Sequence, residues 1–220
     1  MNKISNAAIV TEKLKSGMTV MIGGFMANGA PETLIDEILD SDITDLTLIS
    51  TDTGMPESGS GRLICAKRIK KLYASHIGLN PETGRQMNSG ELEVELVPQG
   101  TLAERIRSGG AGLGGVLTPT GLGTIVADGK QIIKVDNKHY ILEKPLKADV
   151  ALIRGSIVDY KGNVFYKKTT RNFNPLMATA AQTVIAEAEQ IVEIGEIEPE
   201  AVHTPSIFVN YIVQGSPYHG

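Results

Sequence analysis

Met18-Thr19-Val20-Met21-Ile22-Gly23-Gly24-Phe25-Met26-Ala27-Asn28-Gly29-Ala30-Pro31 is the stretch on which the fold class turns. Its first five residues read as a short buried strand that ends in paired glycines. Pro31 then opens a helix, where its missing N–H costs nothing because the first helical amides have no intrahelical partner. Leu34, Ile35, Ile38 and Leu39 recur on one face of that helix. A strand, a glycine loop and a helix N-terminus in this order form one unit of an α/β protein. In such folds ligands bind beyond the carboxyl ends of the strands.

Working outward, residues 6–15 read as a helix with Ser5 or Asn6 as cap and Gly17 as stop. Downstream, 46–50, 71–75 and 92–97 read as strands. Thr101-Leu102-Ala103-Glu104 has capping-box spacing and predicts a helix through Arg107, broken by Gly109–Gly115. The segment at about 117–147 differs: Ile132–Val135 and Tyr140–Leu142 flank Asp136-Asn137, the pattern of a hairpin. It predicts a small protruding β subdomain. A core strand over 148–153 follows, then a Lys161-Gly162-Asn163 turn, a small-residue helix over 175–182 and a strand over 183–186. The rhythm predicts an open, mostly parallel sheet flanked by helices, in one domain spanning 1–220.

The 220 residues carry a net charge of −4 and no basic stripe, which argues against nucleic acid as a partner. Lys67-Arg68-Ile69-Lys70-Lys71 reads as a solvated strand or helix end, with a place for an anionic phosphate as the minority reading. Met1–Ser5 leads into a polar amphipathic segment, with neither a signal-peptide core nor a membrane-spanning run. Cys65, the one cysteine, has no internal partner and reads as buried in an apolar stretch. These features predict a cytoplasmic protein. His76, His139, His203 and His219 show no metal-ligand spacing, so no metal site is expected.

Three segments carry the candidate chemistry. Gly23, Gly24 and Gly29, with Phe25, Met26, Ala27 and Asn28 between them, allow close approach of backbone amides to an anion or a developing oxyanion. A plain tight turn remains open for the same residues. The spacing matches neither a dinucleotide fingerprint nor a P-loop. Gln99 lies between a strand end and a helix start, where its amide reads equally as a structural bond or as a ligand contact. Gly109, Gly110, Gly112, Gly114 and Gly115 fall within seven residues, a density that points to a ligand or subunit contact. Glu57-Ser58-Gly59-Ser60 reads as a surface loop.

Taken together, the chain resembles the α subunit of family I CoA transferases, closest to those acting on acetate or on butyrate and acetoacetate. The resemblance rests on residues 16–25 with Gly29-Ala30-Pro31, on Ser75-His76-Ile77-Gly78 and Asn80–Arg85, and on 97–107. It continues through 109–115, 117–121, Arg171-Asn172-Phe173-Asn174-Pro175 and Val202-His203-Thr204-Pro205. Ser16 stands where the family usually has Asp or Asn. The resemblance implies transfer of CoA between short-chain acyl-CoA and a carboxylate through a glutamyl-CoA intermediate. The nucleophilic glutamate belongs to a β subunit, in an α2β2 assembly, with CoA as substrate and no tightly bound cofactor. It assigns Gly23–Gly29 to CoA binding and Gln99 to the acyl or carboxylate oxygen. Thr51-Asp52, where relatives often carry Asn-Asp or Asn-Asn, and the 109–115 glycines would lie at the pocket or the interface. Two other readings are a sugar-phosphate isomerase or sensor and a non-catalytic CoA- or acyl-binding module.

Overall fold

A computed structural model describes residues 3–216; Met1, Asn2 and His219 lie outside the described residues. The main sheet is built from β1 (Ile4–Ser5), β2 (Thr19–Ile22), β3 (Leu46–Ile49), β4 (Ile69–Ala74), β5 (Glu93–Leu96), β9 (Ala148–Asp159), β11 (Ala181–Val192) and β12 (Tyr211–Gln214). Their order is β1-β12-β11-β9-β2-β3-β4-β5. Every neighbouring pair along it is parallel. The short β10 (Val164–Phe165) folds back antiparallel on β9 across the expected 161–163 turn.

Both faces of the sheet are buried, which is why its strands read as nearly continuous apolar runs. Along β2, Val20 and Ile22 join one core while Met21 joins the other; in β9, Val150 and Leu152 oppose Ala151 and Ile153. The first core takes α1 (Ile9–Lys13), α2 (Glu32–Leu39) and α3 (Gly61–Cys65), through Ile9, Leu34, Ile35, Ile38, Leu63 and Ile64. Helix α4 (Pro81–Ser89) packs on α3. The second core takes α5 (Gln99–Gly110) and α6 (Asn174–Thr179), through Leu102, Ile106 and Met177. Each fully buried Leu or Ile contributes about 1.5–3 kcal/mol.

Chain order makes β2 the switch point. The chain runs outward from β2 through β3 and β4 to β5, then returns to lay β9 against the other side of β2. The crevice beyond a switch point is where open α/β sheets hold ligands. Between α5 and β9 lies a separate antiparallel sheet of β6 (Val116–Thr118), β8 (Lys138–Glu143) and β7 (Ile132–Val135), in that order. Asp136 and Asn137 turn its hairpin with φ of 44° and 63°, the left-handed pair that a two-residue hairpin requires.

Several elements depart from the sequence reading. Helix 6–15 shrinks to Ile9–Lys13, because Ile4 and Ser5 are drawn into the sheet beside Ile212 and Val213. Thr101 is not a cap: the Pro98 carbonyl already accepts from the Leu102 N–H at 2.8 Å, so α5 starts at Gln99. Gly109 and Gly110 do not break α5. They are its last turn, and a Cβ there would fall on the Leu146 carbonyl oxygen and on Thr179, respectively. The helix over 175–182 is displaced to Asn174–Thr179, and β9 and β11 each extend to 12 residues. Cys65 is exposed at the end of α3, not buried. Of the supposed surface loop 57–60, Gly59 and Ser60 are buried.

Close backbone approach makes a testable difference between glycines. Gly109→Ala should cost about 1–3 kcal/mol as an overpacking change. Gly114→Ala, whose added Cβ meets nothing, should stay within about 0.5 kcal/mol. Chemical denaturation of the two variants against wild type reads the contrast.

Candidate functional site

The candidate residues sort to opposite ends of the sheet. Gly23–Gly29, Thr51-Asp52, Ser75-His76 and Gln99 follow the carboxyl ends of β2, β3, β4 and β5, four neighbouring strands. Helix α5 then carries the chain back, so Gly109 and Gly110 land beside Leu146 and Thr179, at the starts of β9 and β11. A cavity of about 410 Å³ there is lined by Thr19, Gly109, Gly110, Gly112, Lys147 and Asp149, among others. Gly109, Gly110 and Gly112 therefore stand apart from Gly23–Gly29, at the far end of the sheet.

After β2 the chain makes a tight turn. Phe25 and Asn28 exchange backbone hydrogen bonds of 3.0 and 2.9 Å. Met26 and Ala27 turn the corner at φ of 50° and 67°, a conformation that costs a non-glycine residue about 1–2 kcal/mol. After β3 the chain repeats the construction. Met55 pairs with Ser58 as Phe25 pairs with Asn28, and Gly54 and Gly59 flank the second turn as Gly24 and Gly29 flank the first. The two turns nest: a Cβ on Gly59 would stand 3.3 Å from that of Ala27. The space enclosed between them is about 10 Å³, too small for a ligand.

Asp52 joins the turns. Its Oδ2 accepts from the Met26 N–H at 3.1 Å and its Oδ1 from the Gly54 N–H at 2.7 Å. Glu32, at the start of α2, returns the favour by accepting from the Gly59 N–H at 2.6 Å. Arg62 secures that carboxylate at 3.1 Å. The hydroxyls of Thr51 and Thr53, on either side of Asp52, are buried and take no partner among the described residues. Along the next strands, the one Ser75 hydroxyl proton is shared between two acceptors, the Thr51 carbonyl at 2.7 Å and Gln99 Oε1. That contact engages the oxygen of the Gln99 amide, and its Nε2 has no part in it.

Free amides were the expected attraction of the glycine loop, and most are already used. Gly23 N–H donates to the Leu152 carbonyl, Gly24 to Asn172 Oδ1, Met26 to Asp52 and Ala30 to the Ala27 carbonyl. With Phe25 and Asn28 bonded to each other, Ala27 and Gly29 are the residues of this run whose N–H makes none of these bonds. The α2 N-terminus is also filled. Glu187, fully buried on β11, accepts from the Leu34 N–H at 3.2 Å and also from that of Thr33. The helix dipole thus faces the protein's own carboxylate. Arg154 pairs with Glu187 at 2.6 Å and with Glu189 at 3.1 Å. The turns present three large apolar side chains outward, Phe25, Met26 and Met55, at 45%, 43% and 50% exposed, with Glu57 exposed beside Met55.

The sequence reading missed four of these contributors: the second turn, the Asp52 bridge, Glu187 and Asn172. One signal was present. Gly24-Phe25-x-x-Asn28-Gly29 recurs as Gly54-Met55-x-x-Ser58-Gly59, thirty residues on. Of the histidines, His203 stacks on Phe165 and accepts from the Tyr166 N–H through Nδ1. Among the described residues no group of His, Cys, Asp and Glu is arranged to hold a metal ion. No helix there is long and apolar enough to cross a membrane.

Burial pushes the Glu187 carboxyl up to about 7 from its usual 4.5, while Arg154 and the two amides pull it down. The folded protein then holds a proton that the unfolded chain has released between roughly pH 4.5 and 7. The contribution of this group to stability is complete at the acid end and is lost as pH rises through about 7. The difference in unfolding free energy, wild type minus Glu187→Gln, should therefore fall from pH 5 to pH 8, as read by denaturant titration. A difference that does not change with pH contradicts this.

The family model for coenzyme A transferase matches residues 3–215. The chain is 58% identical to the acetoacetyl-CoA:acetate/butyrate CoA transferase alpha subunit of Clostridium acetobutylicum, over 91% of this chain and 92% of that protein. It is 50% identical to the acetate CoA-transferase subunit alpha of Escherichia coli strain K12, over 96% of each. In structure it is similar to an acyl-CoA transferase from E. coli O157:H7 in thioester complex with CoA, at a TM-score of 0.87 and 20% identity. All of this chain aligns there with 49% of that longer one. The chain belongs to the coenzyme A transferase family, as an alpha-type subunit.

Proposed function

We propose that this chain, with a β subunit, transfers CoA between a short-chain acyl-CoA and a carboxylic acid, among acetate, butyrate and acetoacetate. The observation that carries the reading is the placement of Gly23–Gly29, Thr51-Asp52 and Gln99 together at the strand ends beside the switch point. No ligand-sized space is enclosed between the turns there. In this reading a partner completes the pocket, and the alpha-subunit names of the relatives imply a β chain. The assembly we infer is α2β2, in the cytoplasm, with CoA as substrate and no tightly bound cofactor.

In the proposed reaction a glutamate of the partner attacks the acyl-CoA carbonyl. The C–S bond breaks, CoA leaves as thiolate and an acyl-glutamyl anhydride forms. The thiolate then attacks the glutamyl carbonyl and releases the acid, leaving a glutamyl-CoA thioester. The second acid reverses both steps. Each step needs donors aimed at a developing oxyanion, and water kept out. Gln99 suits the first need: its oxygen faces Ser75 and its amide N–H is the donor. The rigid, apolar-faced turn with Phe25 and Met26 suits the second. Of the run Gly109–Gly115, Gly109, Gly110 and Gly115 answer to packing within the chain, and in this account the interface reading stays with Gly112 and Gly114, where an added Cβ would meet nothing.

The chain alone should show no transferase activity, and adding the β subunit should restore it. Activity without a partner would sink the reading. In the reconstituted enzyme, Gln99→Ala should lower kcat by about 10²–10³-fold, the loss on removing one oxyanion donor, with the unfolding midpoint unchanged. Unchanged kinetics would remove Gln99 from the site.

A further inference from the structure

We propose that Asn172 is a positioning residue for the transfer reaction: its amide closes both ends of the Gly24–Asn28 turn and fixes where Phe25 and Met26 face. The inference rests on the reading that this turn borders the reacting groups. Asn172 lies on the crossover between β9 and β11, some 148 residues from the turn in sequence. Its Oδ1 accepts from the Gly24 N–H at 3.2 Å and from the Phe173 N–H at 2.6 Å. Its Nδ2 donates to the Asn28 carbonyl at 2.9 Å and to the Thr169 carbonyl at 2.8 Å. One planar group thus meets an N–H at the entry of the turn and a C=O at its exit. Only a primary amide offers an acceptor and two donors in that arrangement. A carboxylate keeps the acceptor and sets an anion against the Asn28 carbonyl.

The anchor is itself anchored. Asn174, fully buried, donates through Nδ2 to the Gly29 carbonyl at 3.0 Å and the Thr170 carbonyl at 2.8 Å. Its Oδ1 accepts from the Arg154 N–H at 3.0 Å. A Cβ on Gly23 would overlap Asn174 Oδ1, and one on Gly29 would stand 2.9 Å from Thr170 Cα. The crossover therefore lies flush on the turn, and Asp52 holds the turn from the opposite side. Met26 and Ala27 keep a left-handed conformation that neither prefers. Such a corner relaxes unless its surroundings over-determine it. The two exposed side chains, Phe25 and Met26, move with it.

The test uses the chain assembled with its partner subunit. Asn172→Ala should lower kcat at least roughly tenfold, as small misplacements do, with KM for acyl-CoA little changed and the melting temperature nearly kept. Hydrogen exchange over residues 23–30 should speed up while the remaining segments hold their rates. Unchanged kcat and unchanged exchange overturn the proposal. So does a loss of activity matched by faster exchange throughout the chain, the mark of a merely structural residue. If Asn172→Ala does not assemble, the isosteric Asn172→Asp is measured, with the same expectations. A Phe25→Ala/Met26→Ala variant separates the two layers. If it leaves kcat/KM intact, the turn is not at the reaction and the proposed site fails. If it lowers kcat/KM while both Asn172 variants do not, the positioning role alone fails.

Discussion

Both faces of the sheet are covered by helices, and this one constraint decides where chemistry takes place. A buried parallel sheet offers a ligand only its strand ends. The carboxyl ends are the favoured ones, because there the chain leaves the ladder with unspent backbone groups and enters helices at their positive ends. In this chain β2 sits at the centre of the order, with β3 leaving on one side and β9 returning on the other. The loop after β2 therefore emerges where the sheet divides, between two crossovers that belong to different parts of the chain. Asp52 reaches it from one side and Asn172 from the other.

The result is a turn whose hydrogen-bonding capacity is largely spent before any ligand arrives. Glycines in such a loop are often taken as bare amides waiting for an anion. These glycines serve closeness instead: Gly23 leaves room for Asn174, Gly29 for Thr170 and Gly59 for Ala27. The nearest helix N-terminus carries Glu187, which is held in turn by Arg154. A site organised in this way is stiff, presents Phe25, Met26 and Met55, and keeps few amides to offer. That suits a surface on which a second subunit completes the pocket, and in which bound groups are aligned by a fixed corner. Preorganisation of this kind lowers the reorganisation that a developing oxyanion would otherwise require.

Much of the fold was legible in the sequence because apolar runs and glycine stops report burial directly. The β2–α2 unit and the 132–142 hairpin follow from patterns within one segment, and the mostly parallel sheet from the strand–helix rhythm along the chain. What was not legible depends on distant residues. The end of α5 reads as broken because two glycines close it, yet Leu146 and Thr179 are what demand them. Residues 6–15 read as one helix because nothing local reveals that Ile4 pairs with Ile212. Cys65 reads as buried from its apolar neighbours, although it is the last residue of a short helix and faces outward. At the site, Gln99 and the first glycine loop are visible by position. Asp52 is visible as a position and not as a bridge, and Asn172 and Glu187 are not visible at all, because their roles exist only once residues about 30 to 150 apart in sequence meet at the turn and at the start of α2.

The central claim is that this chain holds half of an active site and that the nucleophile belongs to its partner. Trapping the assembled enzyme with acyl-CoA and mapping the covalent adduct by peptide mass spectrometry tests this most directly. The account predicts a CoA or acyl adduct on a glutamate of the β subunit and none on the sixteen glutamates of this chain. An adduct on any of those would contradict it.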